Sequence, residues 1–153
     1  MSSQTLSADV LLRAGYGAFR VQEEDVAERL WSRIIADQTI PRILAYAKMS
    51  LGMLYTLRRD WHASAEAYQA AVDCGNTEVL AGAALGLAGI HHRAGRLYAA
   101  EAAYQIAIDA GEPLGAIPLG LLREERGNLT GAAKAYQSAI DSGDDLIIPA
   151  LLS

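Results

Sequence analysis

The sequence predicts an all-α protein assembled from repeated helix pairs, and three observations carry that prediction. The phrase Ala67-Tyr68-Gln69-Ala70-Ala71-Val72-Asp73-Cys74-Gly75 returns as Ala103-Tyr104-Gln105-Ile106-Ala107-Ile108-Asp109-Ala110-Gly111, and again as Ala135-Tyr136-Gln137-Ser138-Ala139-Ile140-Asp141-Ser142-Gly143. Self-similarity at this period marks a stack of small units, none of which buries its apolar face alone. Each copy also holds two helical patterns on either side of a short polar turn. Finally, hydrophobic residues make up 52% of the 153 residues, but aromatics only 7%. A core so poor in rings and rich in alanine favours close helix–helix contact.

The repeat can be traced through the whole chain. The tyrosines Tyr68, Tyr104 and Tyr136 are separated by 36 and 32 residues, and Trp31 lies 37 residues before Tyr68 in a diverged fourth copy. The expected helices are 7–20, 24–36, 42–58, 61–74, 77–94, 97–110, 114–126 and 129–142, with a helical stub from Asp145. The turns within each pair read Gln22-Glu23-Glu24, Arg59-Asp60-Trp61, Gly95-Arg96-Leu97 and Gly127-Asn128-Leu129. Gly95 and Gly127 suit helix ends that need a left-handed residue. Asp60 and Asn128 suit the N-caps that follow. Pro118 either kinks the seventh helix or marks its true start.

A small residue recurs in the first helix of each pair, at Gly15, Gly52, Ala88 and Gly120. Glycine inside a helix costs about 1 kcal/mol against alanine, so its recurrence implies a close approach by the facing helix. Ala27, Ala65, Ala99 and Ala132 are expected to face those sites, with the aromatic closing each layer.

This pattern resembles the tetratricopeptide repeat (TPR) family over nearly the whole chain. The resemblance rests on Leu51-Gly52 and Leu119-Gly120, the Gly127-Asn128-Leu129 turn, Ala132, Tyr136 and Ala139. The proline that usually ends each repeat is absent from its common place. The resemblance implies one domain, 1–153, folded as a right-handed α-solenoid. Its four TPR-like repeats would span about 8–40, 42–76, 77–112 and 113–144, with the stub at 145–153.

The resemblance also implies that first helices line a groove that holds a protein or peptide partner. The positions it nominates in the first repeat are Leu12, Tyr16, Phe19 and Arg20. In the second they are Tyr46, Met49, Met53, Thr56 and Leu57. The third contributes Leu85, Gly89, His92 and Arg93, and the fourth Ile117, Leu121, Glu124 and Glu125. Aromatics and methionines make an adaptable apolar floor. Arg20 and Arg93 are suited to grip a carboxylate. Chaperone-binding relatives clamp a terminal carboxylate with Lys and Asn, but the corresponding surfaces here carry Tyr16, Met53, Gly89 and Leu121. Capture of chaperone tails by that mechanism is therefore not expected.

Other function classes find little support. A net charge of −5 argues against a nucleic-acid or anionic-membrane binder. No apolar run is long enough to span a bilayer. No secretory signal is visible from Met1 to Asp9, so a cytoplasmic protein is expected. No cofactor and no metal are expected. His62, His91 and His92 lack ligand spacing, and Cys74 reads as a small filler equivalent to Ala110 and Ser142. Asp73, Asp109 and Asp141 recur at one position, which suits a structural role better than catalysis. An enzyme accessory subunit is the remaining catalytic reading. The apolar tail offers an alternative function, self-assembly into a homodimer or larger array through Ile147, Ile148, Leu151 and Leu152.

Overall fold

The computed structural model describes residues 6–37 and 40–142, and these contain eight α-helices and no strand. They divide after Val79 into two compact units. The first holds α1 (Ala8–Arg20), α2 (Glu24–Asp37), α3 (Pro41–Leu57) and α4 (Trp61–Asp73). The second holds α5 (Leu80–Arg93), α6 (Leu97–Asp109), α7 (Ala116–Glu125) and α8 (Leu129–Asp141). In each unit consecutive helices pack as antiparallel pairs, α1 with α2 and α3 with α4, then α5 with α6 and α7 with α8.

The turns inside the pairs share one conformation. Gln22, Arg59, Gly95 and Gly127 all adopt positive φ, at 63°, 59°, 72° and 76°. Glycine takes this left-handed state freely, whereas a side chain there costs about 1–2 kcal/mol. Two pairs thus carry a mild strain where the other two carry glycine. Asp60 and Asn128 cap the following helices, accepting from the amides of Ala63 at 3.1 Å and Gly131 at 2.9 Å.

The seventh helix starts later than the sequence pattern indicates. Pro113–Gly115 form a 3₁₀ turn and α7 begins at Ala116. Pro118 lies in the first turn of α7, where a missing N–H leaves no bond unmade and no kink is needed. Similarly, α5 begins at Leu80 rather than near residue 77, because Asn76 engages the amides of Glu78 and Val79 in a turn of its own.

Three of the helix pairs are closed by an aromatic ring lying on a glycine of the partner helix. A Cβ added to Gly52 would lie 2.8 Å from the Tyr68 ring, and one at Gly15 or Gly120 closer still to Trp31 or Tyr136. The facing group is therefore the ring itself, and not the alanines expected to play that part. The buried small residue of each second helix is four residues before the ring: Ala27, Ser64, Ala100 and Ala132. Ala65 and Ala99 are one position off this row and only half-buried. The register was obscured by Ser64, a polar residue at a core position. Its hydroxyl is satisfied by the Gly52 carbonyl at 2.9 Å and Thr56 Oγ1 at 2.7 Å, which offsets the desolvation that an unpaired hydroxyl would cost. Gly89, which the resemblance places on the groove surface, faces open space.

Gly15 to Trp31, Gly52 to Tyr68, Ala88 to Tyr104 and Gly120 to Tyr136 are each sixteen residues apart. Between pairs the spacing varies: ring to next small residue is 21, 20 and then 16 residues. The last and shortest connection is the one that carries the 3₁₀ turn.

Within each unit, one ion pair latches the second helix pair onto the first. Arg58 of α3 bonds Glu24 at 3.2 Å, Asp25 at 2.8 Å and Glu28, all on α2. In the second unit Arg123 of α7 bonds Glu101 of α6 at 2.9 Å, and Arg126 bonds the same carboxylate while covering the Tyr98 ring at 3.9 Å. Glu28 and Glu101 are both three residues before the ring, and Arg58 and Arg126 both six after the small residue. The corresponding residues of the second and third repeats are Ala65 and Ala94.

Replacing Gly52 by Ala is expected to lower the stability of the first unit by about 1–2 kcal/mol. The overpacking cost against the Tyr68 ring exceeds the gain in helix propensity. Gly95→Ala is expected to cost the second unit about 1 kcal/mol through its positive φ. Urea unfolding followed by circular dichroism reads both.

Candidate functional site

The first helices of the first unit bring most of the nominated partner-binding residues onto one surface. Tyr46, Met49, Met53 and Leu57 follow a helical stripe along α3. Tyr16 of α1 joins this stripe from the side. Ser50 Oγ donates to the Tyr46 carbonyl at 2.8 Å, so the 2.8 Å bond between Tyr16 Oη and Ser50 Oγ has Tyr16 as donor. The Tyr16 ring also packs edge-on against Trp31, with centroids 5.3 Å apart. Tyr16 is thus held in place by two neighbours while one face stays accessible.

Exposure rises along the α3 stripe toward its C-terminal end. Tyr46 and Met49 are half-buried, Met53 is 44% exposed and Leu57 61%. Arg20 sits exposed in the last turn of α1. At the other end of the stripe, Tyr46 Oη donates to Glu78 at 2.8 Å and Arg42 Nε donates to the same oxygen at 3.0 Å. These two bonds hold the Glu78 carboxyl below the usual glutamate range, with the tyrosine bond the larger cause. The same bond to Glu78 raises the Tyr46 phenol, because ionising it beside a carboxylate is unfavourable.

In the second unit the nominated residues form a sparser surface. Leu121 is 49% exposed, Ile117, Leu85 and Gly89 are half-buried, and Arg93 and Glu125 are exposed at the ends of α5 and α7. Leu114, from the 3₁₀ turn, is 54% exposed and was not nominated from the sequence.

One row of nominated residues turns inward, toward the ring of its own pair. Phe19 lies 6.0 Å from Trp31, centroid to centroid. Thr56 lies near the Tyr68 hydroxyl and partly offsets the rise that burial gives its pKa. His92 Nδ1 lies 3.2 Å from Tyr104 Oη, with the two rings perpendicular. Glu124 accepts from Tyr136 Oη at 2.7 Å. Each of these residues precedes its ring by twelve positions. That constant spacing was the available signal that the row belongs to the helix pair.

Other recurring polar residues also have intramolecular partners. Gln69, Gln105 and Gln137 donate to Asp73, Asp109 and Asp141 at 2.8, 2.9 and 2.8 Å, each one helical turn away. This repeated surface bond accounts for the recurring aspartates. Cys74 caps α4 where Ala110 and Ser142 cap α6 and α8, and Lys48 Nζ approaches its sulfur at 3.7 Å. His62 pairs with Glu66 at 3.2 Å. Among the described residues no three His, Cys, Asp or Glu side chains are grouped to hold a metal ion. Nor is any helix among them long and apolar enough to cross a membrane. A recess of about 450 Å³ opens beside the Arg58 network, lined by Gln22, Glu23, Glu24, Asp25 and Val26. Another of about 430 Å³, lined by Leu6, Leu11, Ile34 and Ile40 with Ser7 and Asp37, opens beside the start of α1. The nominated self-association residues Ile147, Ile148, Leu151 and Leu152 fall outside the described residues.

These features define an all-α helical-repeat protein of the TPR type, with paired helices, ring-on-glycine closure and first-helix surfaces. Solved structures carry the same fold. A crystal structure of MamA is 20% identical, with a TM-score of 0.75 over 90% of this chain and 79% of that one. A second crystal structure of MamA is 22% identical, with a TM-score of 0.72 over 89% and 73%. BtubC from P. vanneervenii is 13% identical, with a TM-score of 0.73 over 95% and 68%. At such identities the likeness establishes the fold and nothing finer. No protein-family model and no curated protein matches the sequence.

The Glu78 carboxyl is expected to titrate below the ordinary glutamate range and to move back up toward it in Tyr46→Phe. Because its pKa is depressed in the folded state, any stability it lends is present at neutral pH and lost as pH falls through the folded value. Carbon-detected NMR titration of the side chain reads the midpoint in both proteins.

Proposed function

We propose that the protein is an interaction scaffold whose first-helix surfaces hold a protein or peptide partner. The observation that carries this reading is the exposed apolar end of α3. Met53 and Leu57 lie open on the first-helix stripe, while the recurring polar groups of the repeats are spent on bonds within the chain. Methionine and leucine on a rigid helix offer contact area without a fixed hydrogen-bond pattern. Side chains that elsewhere suggest chemistry are here tied to structural partners, so the reading assigns no catalytic step. Arg20 on the first unit and Arg93 on the second are assigned to carboxylates of the partner.

A second reading is favoured by α8, whose Leu129 and Ile140 are 67% and 53% exposed. Exposed apolar side chains on one helix offer a surface that a second copy of the chain could cover. Self-association through α8, with Ile147, Ile148, Leu151 and Leu152, would cover it.

Met53→Glu is expected to remove a partner recovered by pull-down with the wild-type protein, whereas Leu129→Glu leaves recovery unchanged. The opposite pattern, together with a fall in sedimentation coefficient on truncation after Gly143, would establish self-association instead.

A further inference from the structure

We infer that the partner segment seated on the first unit is an amphipathic helix carrying an acidic side chain, which pairs with Arg20. The inference rests on the scaffold reading above and gives that partner a chemistry.

The helical form follows from the spacing of the surface. Met49, Met53 and Leu57 stand four residues apart along α3, about 6 Å per step. A partner helix laid along α3 presents its own apolar residues at the same step, so side chains interlock at every turn. Tyr16, fixed by Ser50 and Trp31, forms the wall on the α1 side.

The acidic side chain follows from the charges. On α1, Arg13 is paired with Asp9 at 3.1 Å. On α3, Arg42 is paired with Glu78, Lys48 lies against Cys74, and Arg58 is held by Glu24, Asp25 and Glu28. Arg20 is exposed and has no such partner among the described residues. The chain as a whole carries a charge of −5, so an uncompensated cation beside an apolar stripe runs against the general field of the molecule. Arg20 and Leu57 occupy the same place in their repeats, each five residues after the small residue, so the cation sits level with the most exposed end of the stripe. A side-chain carboxylate suits this position better than a chain terminus. A helix laid along α3 carries side chains at every turn and its chain terminus only once, so a side-chain carboxylate is the group it brings to the Arg20 guanidinium.

The test is selection of a displayed random 16-residue peptide library on the immobilised full-length protein, followed by affinity measurement of enriched peptides by fluorescence anisotropy. The expected result is enrichment of sequences with apolar residues at helical spacing and an Asp or Glu within one turn of them. Their binding should weaken about fivefold in Arg20→Gln, with the difference shrinking at high salt, as for an exposed charge pair. It should be lost in Met53→Glu. Enriched peptides without an acidic residue, equal binding to Arg20→Gln, or no enrichment would each overturn the inference. Loss in Met53→Glu without any effect of Arg20→Gln leaves the scaffold reading standing and removes this one.

Discussion

The seating of an aromatic ring on a residue without a side chain, or with only a methyl, governs the rest of the molecule. Trp31, Tyr68 and Tyr136 lie where a Cβ on Gly15, Gly52 or Gly120 would stand, and in the third repeat Tyr104 follows Ala88 at the same sixteen-residue spacing. Each ring buries a large apolar area, worth a few kcal/mol by area, in a protein whose other core residues are mostly small. Because the rings bring the helices of a pair so close, the alanine rows at Ala27, Ala100 and Ala132 can interlock behind them. The ring also sets what lies in front. Its outer edge meets Phe19, Thr56, His92 or Glu124, of which Glu124 stays exposed, and the neighbouring row holds the half-buried Tyr16 and the exposed Met53 and Leu121.

The two units share a second device, with different execution. In the first, one arginine faces three carboxylates, and Tyr55 adds a 3.0 Å bond to Glu28. In the second, the ratio is reversed: two arginines share the carboxylate of Glu101, and Arg123 also donates to the Gly131 carbonyl at 3.2 Å. Arg58 and Glu28 in the first, and Glu101, Arg123 and Arg126 in the second, are partly buried, so each of these charges depends on its partner more than a surface pair would. The same latch therefore serves an acid-rich and a base-rich setting, and it leaves the first-helix stripes free of compensating charge.

Much of this was legible in the sequence, because the repeat phrase copies the residues that do the packing. The eight helices, the glycine turns at Gly95 and Gly127, and the caps Asp60 and Asn128 all follow from local chemistry that acts within a few residues. The misreadings have a common origin in tertiary context. Ala65 stands beside Ser64, where hydrophobicity favours the alanine, and Ala99 beside Ala100, where composition favours neither, while the carbonyl that satisfies Ser64 belongs to another helix. Phe19 and His92 read as surface candidates because their partner rings are twelve residues away, beyond the reach of a helical wheel. The start of α7 was displaced because a 3₁₀ turn and an α-helical first turn accept the same residues.

The fixed sixteen-residue interval between seat and ring, against intervals of 21, 20 and 16 between pairs, has a bearing on how such a chain changes over time. An insertion inside a pair would lift a ring off its glycine, whereas one between pairs merely lengthens a connection, at little entropic cost. Length variation among descendants of this sequence should therefore accumulate at Asp37–Ile40, Cys74–Val79 and Ala110–Gly115. The segments from seat to ring should be inherited whole.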